Sequence, residues 1–427
     1  MAGRDDALGR AARRARRSGT TAGGPLPARP GADREAVPRD GAGGRVGGGV
    51  MHIVQIVPTI GSGSGVGGTA QRLALEFERL GHRVENFTAD TARGHSRRRF
   101  RSLLLHRLSR VWYAVDFSLA GTRKARRFLA DRPGAVSICH NAVMTGDVYV
   151  NHGIVFSSMR ARGDAVWRMA RNPLHTFTFV RDRIRYRGHS HRAIVALTDR
   201  EVDELTRVYG RLAAPVTVIP HGVDLDRFGP PDEAQRTAAR AALGLDAEHR
   251  VALFIGHELE RKGVAEAIDA LVHAPTVLLL VVGGDSAAIE RMRRRAGRAG
   301  VAARVLFVGP QSDLPRYFSA ADMFVFPSSY ESYGLVITEA LASGVPVIAT
   351  PTGCAPDVIV DGVNGHLVDR DPAAIGELLE RVAATDVDDW RSACRSSVEH
   401  LTWRAAAERY LALLREVTQQ RAPEAAR

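Results

Sequence analysis

The chain has 427 residues, 45% of them hydrophobic, and a formal net charge of +12 at pH 7. That length and apolar content suit two domains with cores of their own and exclude a wholly disordered or collagen-like chain. Three cysteines, Cys139, Cys354 and Cys394, show no CxxC or zinc-ligand spacing, which argues against a disulfide framework and for a reducing compartment, the cytoplasm by default. No apolar run approaches the roughly 18 residues of a spanning helix, and the Arg/Gly-rich start has no apolar signal-peptide core.

In chain order, residues 1–50 carry ten Arg against five acids, with no apolar periodicity, and read as a disordered tail. Residues 52–57 (HIVQIV) form a short apolar run, followed by the glycine-rich loop 61–68 (GSGSGVGG), a helical pattern over 69–80 and a second strand-like run over 82–87. This is a βαβ opening. The loop contains Gly63-x-Gly65-x-x-Gly68 with Glu85 about twenty residues on, which formally satisfies a dinucleotide fingerprint and leaves an NAD-dependent oxidoreductase as an alternative. Its narrower content is that Gly67 and Gly68 let backbone N–H groups approach a phosphate at a helix N-terminus.

Residues 93–127 hold eleven basic side chains and one acid, and 160–192 hold nine and two, so the positive charge belongs to the first half. Phe100, Leu104, Leu108, Val111, Trp112 and Val115 fall on one helical face flanked by arginines, which suits either a domain helix or a helix lying on anionic lipid. An Arg-rich nucleic-acid binder is the other alternative, but no helix-turn-helix, zinc finger or aromatic RNA platform accompanies the charge. Further strand-like runs lie at 135–139, 148–150 and 193–197. A second series follows at 216–219, 251–255, 277–282, 305–308, 323–326 and 346–349, separated by helical segments. Buried β-branched runs alternating with helices predict an α/β protein with two doubly wound parallel sheets, and ligands bind at the carboxyl ends of such strands. The expected division is a first domain over 51–214, a second over 215–400, and a final helix over 401–418 packing back on the first.

Three motifs in the second half, VIPHGVD at 218–224, Phe254-Ile255-Gly256 with Arg261-Lys262-Gly263, and above all the run 327–340 (PSSYESYGLVITEA), resemble the family 4 retaining glycosyltransferases of the GT-B fold. The resemblance covers about 51–415. It implies two Rossmann-like domains facing a central cleft and a sugar transferred from a nucleotide-sugar donor (UDP-, GDP- or ADP-linked) to a glycan or lipid-linked acceptor. It also implies retention at the anomeric carbon, no bound metal and no nucleic-acid partner. The setting is then cell-envelope glycan, glycolipid or polysaccharide synthesis, with a possible anionic membrane surface at the inner face of the cell membrane.

The same resemblance assigns the site. Glu331 and Glu339 bind the donor sugar and ribose, and the free N–H groups near Gly334, Leu335 and Val336 at a helix start hold the diphosphate, as helix N-termini do. Lys262, one of only two lysines among 59 basic residues, neutralises the diphosphate with help from Arg261. The chain departs from many members by having His257 where they carry a second Arg. From the first domain, His152 is expected near the donor sugar and the reacting phosphate, with His140 and Asn141 on the same rim. Asp224-Leu225-Asp226 imitates a metal-binding DxD but is expected to cap the segment after the IPHG turn.

Overall fold

The computed structural model describes residues 49–61, 65–93, 103–140 and 143–425, without side-chain detail at 93, 103–114 and 422–425. Most of the expected tail, residues 62–64 of the glycine loop, Phe100, Asn141 and the side chains of Leu104, Leu108, Val111 and Trp112 therefore lie outside the described residues. The backbone of that basic stretch forms part of a long helix, Leu103–Ala130.

Among the described residues, twelve strands form two parallel six-stranded sheets. The first contains β1 (His52–Ile56), β2 (Arg83–Phe87), β3 (Ala135–His140), β4 (Val148–Val150), β5 (Ala193–Ala196) and β6 (Val216–Val218) in the order β2-β1-β3-β4-β5-β6. The second contains β7 (Arg250–Ile255), β8 (Val277–Val282), β9 (Val305–Gly309), β10 (Met323–Phe326), β11 (Val347–Ala349) and β12 (Gly365–Leu367) in the order β12-β11-β10-β7-β8-β9. The strands VLLLVV (β8) and AVSICH (β3) are buried at every position, as expected where helices cover both faces. Each fully buried Val, Leu or Phe side chain contributes about 1.5–3 kcal/mol relative to exposure.

One boundary differs from the sequence expectation. The sequence pattern places Val216–Val218 in the second series, yet it pairs with β5 through Ile194↔Val216 and Ala196↔Val218 and closes the edge of the first sheet. The reason is local: Pro215 follows the helix Asp199–Tyr209 closely, so the chain returns beside the strand it has just left. The first unit therefore extends past Ala214 through β6. A short edge strand, β12, has too little apolar pattern to be seen in the sequence.

The final helix, Trp403–Ala425, packs on the first-sheet helix Val66–Arg79 through an edge-on Phe77–Tyr410 ring pair and Arg72 over the Trp403 ring. Arg421 adds bonds to the Ala135 carbonyl and to Asp147. The chain thus crosses between the sheets twice, side by side: Val223 bridges Thr402, and a Cβ on Gly222 would collide with the Trp403 backbone.

Strand order reverses at β1/β3 in one sheet and at β7/β10 in the other. In open parallel sheets the crevice outside the carboxyl ends at such a reversal is where ligands bind. The loops leaving β1 and β3 carry the glycine loop and follow His140. Those leaving β7 and β10 carry Arg261, Lys262 and Glu331.

Candidate functional site

Lys262 reaches the crevice because glycines clear its path. Gly256, at the end of β7, has no side chain to occupy the space 2.5 Å away taken by the Lys262 Cδ, and Gly263 adopts φ +89 where a Cβ would fall onto the Pro327 carbonyl. The ammonium then stands 3.4 Å from Glu331 Oε1 and 4.9 Å from the centroid of Phe326. The same oxygen lies 3.3 Å from Arg261 Nη1 and accepts from the Ser328 hydroxyl at 2.9 Å. Arg261 in turn donates to Glu258 at 2.7 Å and to the Tyr330 carbonyl. The structure thus brings Arg261, Lys262 and Glu331 into one cluster of low exposure, in which a carboxylate fixes two cations. His257, by contrast, is exposed beside it.

The helix Leu335–Ala342 starts next to this cluster from Gly334, at φ 89 and ψ 53, with no side-chain cap and no acid in its first turn. Some helices elsewhere are closed by side chains: Asp285 accepts from Ala288 N at 2.7 Å, and Asp232 completes a capping box with Gln235. The uncapped start leaves the N–H groups of Leu335 and Val336 and the positive end of the helix dipole for an anion. The helix Val66–Arg79 across the cleft also begins from a glycine, Gly65, without a cap or a first-turn acid. Gly67 is required there because a Cβ would lie 2.6 Å from the Thr59 carbonyl oxygen.

Glu339 projects from the second turn and is buried. Burial pushes its carboxyl up to about 7, partly offset by Arg72, Arg227 and Lys262. Arg72 comes from the first sheet's helix, so the two halves of the cleft meet at this carboxyl.

The first-sheet wall is built from histidines. His152 Nε2 lies 2.9 Å from His140 Nδ1, and its ring stacks at 5.8 Å on His221, which stacks in turn on Trp403. Burial lowers His152 to about 4 and takes His140 and His221 well below the ordinary histidine range. His140 is fully buried behind His152, not on the rim as expected, because it is the last residue of a strand covered on both faces. Immediately after His152, the Ile154 N–H donates to the Tyr330 hydroxyl at 2.6 Å, placing the histidine loop against the loop that carries Glu331.

Two further expectations are answered by geometry. Asp224 accepts from Arg227 N at 3.1 Å, the turn cap foreseen for the Asp224–Asp226 stretch. Glu85, the acid of the dinucleotide reading, bonds Arg132 at 2.7 Å and Arg83 at 2.6 Å, so its carboxylate is already engaged and does not offer itself to a ribose. Sequence reasoning missed Gln55, Tyr330 and Arg72, whose contacts span 85, 176 and several hundred residues of chain. Between the two walls a cavity of about 370 Å³ opens beside Glu331, with Arg160, Arg200, Glu201 and Glu204 on its first-sheet side.

Residues 63–227 match the family described as Glycosyltransferase Family 4, and residues 235–394 match Glycosyl transferases group 1. A D-inositol 3-phosphate glycosyltransferase of Xylanimonas cellulosilytica is 38% identical over 241 residues, 54% of this chain and 58% of the relative. The chain thus spans little more than half the length of that relative. Among solved structures, sucrose-phosphate synthase of Thermosynechococcus elongatus aligns over 87% of this chain and all of its own, with TM-score 0.68 and 21% identity. HepE of Anabaena, solved in complex with UDP and glucose, aligns over 86% and 100%, with TM-score 0.61 and 18% identity. These likenesses establish the fold as GT-B.

Proposed function

We propose that the chain is a glycosyltransferase of group 1 and family 4 that transfers a sugar from a nucleotide-sugar donor to an acceptor hydroxyl, with retention and without a bound metal. The observation that carries this reading is the Arg261–Lys262–Glu331 cluster beside the open start of Leu335–Ala342. A departing nucleoside diphosphate develops charge that preorganised donors stabilise by several kcal/mol, and here an ammonium and free helix N–H groups converge. Glu339 accepts from the ribose hydroxyls. UDP is the favoured nucleotide, supported by the UDP bound to HepE.

In the proposed step the bond from the anomeric carbon to the diphosphate oxygen breaks and the acceptor oxygen bonds the same face. The acceptor proton passes to the departing phosphate, and no protein nucleophile intervenes. His152 contacts the donor sugar from the opposite wall. Cleft closure excludes water and orders the two reactants.

The acceptor lies in the 370 Å³ cavity, where Arg200, and Arg160 in exchange for its 2.8 Å pair with Glu204, suit an anionic polyol; the name of the inositol-phosphate relative supports that class. A lipid-linked acceptor at the inner face of the cell membrane is a second reading. It is favoured by exposed Val166, Trp167, Val180 and Ile184 among exposed Arg168, Arg171, Arg183 and Arg187. No helix among the described residues is long and apolar enough to cross a membrane. A thermal-shift panel of UDP-, GDP- and ADP-sugars in EDTA, followed by NMR of the product's anomeric configuration, tests the proposal. Stabilisation by one nucleotide and a retained configuration are expected; turnover without an acceptor, or none with any donor, overturns it. Flotation on anionic liposomes separates the two acceptor readings.

A further inference from the structure

Gln55 sits in the middle of β1, wholly buried, in a strand whose other buried side chains are aliphatic. Such a residue persists only when both ends of its amide are satisfied. Its Nε2 donates to the Ala70 carbonyl at 2.8 Å, in the helix that follows the glycine loop. The amide cannot be reversed without setting oxygen against oxygen, so Oε1 is the end facing His140 Nε2 at 2.9 Å.

Proton counting then runs outward. An amide oxygen only accepts, so His140 Nε2 carries the hydrogen. Burial keeps His140 neutral, and no carboxylate bonds it among the described residues. Its Nδ1 is therefore a lone pair, and the nitrogen 2.9 Å away, His152 Nε2, must donate. His152, itself neutral in this surrounding, is left with Nδ1 unprotonated, and no protein group bonds that atom among the described residues. The stack on His221 holds the ring plane while the chain of hydrogen bonds holds its rotation.

We propose that Gln55 and His140 are positioning residues that lock His152 as the Nε2–H tautomer, so that it meets the substrate as a neutral hydrogen-bond acceptor at Nδ1 and not as a cation. The part concerning substrate rests on the glycosyl-transfer reading; the tautomer does not. At the cleft, such a histidine orients a sugar hydroxyl, while neutralising the diphosphate falls to Lys262 and Arg261. The tie to Ala70 couples this orientation to the helix behind the glycine loop.

Nitrogen-15 histidine correlation spectra of the wild type, Q55L and Q55E test the assignment. The wild type should show Nε2–H for both His140 and His152. In Q55L the acceptor is gone, His140 and His152 should populate both tautomers, and kcat should fall roughly ten- to a hundredfold with donor KM little changed, the range for a lost orienting partner. In Q55E one carboxyl oxygen meets the Ala70 carbonyl and the other favours a proton on His140, whose Nδ1 then donates; His152 should turn to the Nδ1–H tautomer and the rate should stay as low as in Q55L. An Nδ1–H signal from wild-type His152 overturns the proposal, as does a Q55L protein with unaltered spectrum and rate. If Q55L fails to fold, the wild-type spectrum and the His152 tautomer in Q55E decide. A spectrum as expected from a protein that transfers no sugar would instead sink the functional reading and leave the tautomer standing.

Discussion

The carboxyl ends of β7 and β10 present charge: Lys262 and Arg261 bracket Glu331, and an uncapped helix points its positive end beside them. At the equivalent place in the other sheet, at the ends of β1 and β3, the polar side chains among the described residues are neutral. There Gln55, His140 and His152 are satisfied by one another and kept neutral by burial. The two sheets share a topology and a reversal of strand order, so the difference lies in the side chains placed on it. A diphosphate needs opposing charge held in advance; the reacting sugar needs directional hydrogen bonds in a space that water has left. The fold supplies two equivalent crevices, to which the proposed function gives different tasks.

The sharpest way to break this comparison is to remove charge from the charged wall. Lys262→Ala and Glu331→Ala should each lower kcat by about a thousandfold, with circular dichroism unchanged. Loss of Glu331 leaves the two cations to repel, so that variant should also bind donor more weakly. On the neutral wall, His152→Ala should cost about a hundredfold in kcat while donor KM stays within about threefold. A KM effect as large as that of Lys262→Ala would erase the distinction.

Glu339, where the walls meet, gives the pH test. Its carboxyl is raised to about 7, so below that pH it takes up a proton and can no longer accept from two ribose hydroxyls. Donor affinity measured by calorimetry should therefore fall as pH drops from 8 to 6, approaching tenfold per unit on the acid side. Glu339→Gln should bind weakly throughout and lose that slope. A pH-independent wild-type affinity would remove Glu339 from the site. The smallest effect is expected from Arg162→Ala, which deletes a partly exposed 2.6 Å pair with Glu258 across the cleft. Such pairs contribute under about 1 kcal/mol, and kcat should change less than about twofold.

How much of this was legible in the sequence differs between the walls. Lys262 stood out against the arginine bias, and Gly334 with Glu331 and Glu339 is a local pattern within one turn and its helix. Both could be read because each is local: Arg261-Lys262-Gly263 is one tripeptide, and Glu331 to Glu339 is one short stretch. The neutral wall is assembled from residues 55, 140, 152 and 221, brought together only by parallel pairing across the first sheet from β1 to β6. Gln55 looks like a polar interruption of a core strand until its partner is known. His140 seemed a rim residue for the same reason: a strand's last position gives no sign of what covers it. The edge strand β6 was placed in the wrong sheet because three β-branched and polar residues fit either neighbour, and only the short return from the preceding helix decides.

Calorimetric titration of a nucleotide sugar into the wild type and Lys262→Ala, both in EDTA, reaches the central claim most directly. Metal-free binding to the wild type that weakens at least tenfold in the variant, with unchanged melting of the free proteins, is the expected result. Equal affinity in both, or binding that appears only when a divalent metal is added, would contradict a diphosphate site built on Lys262.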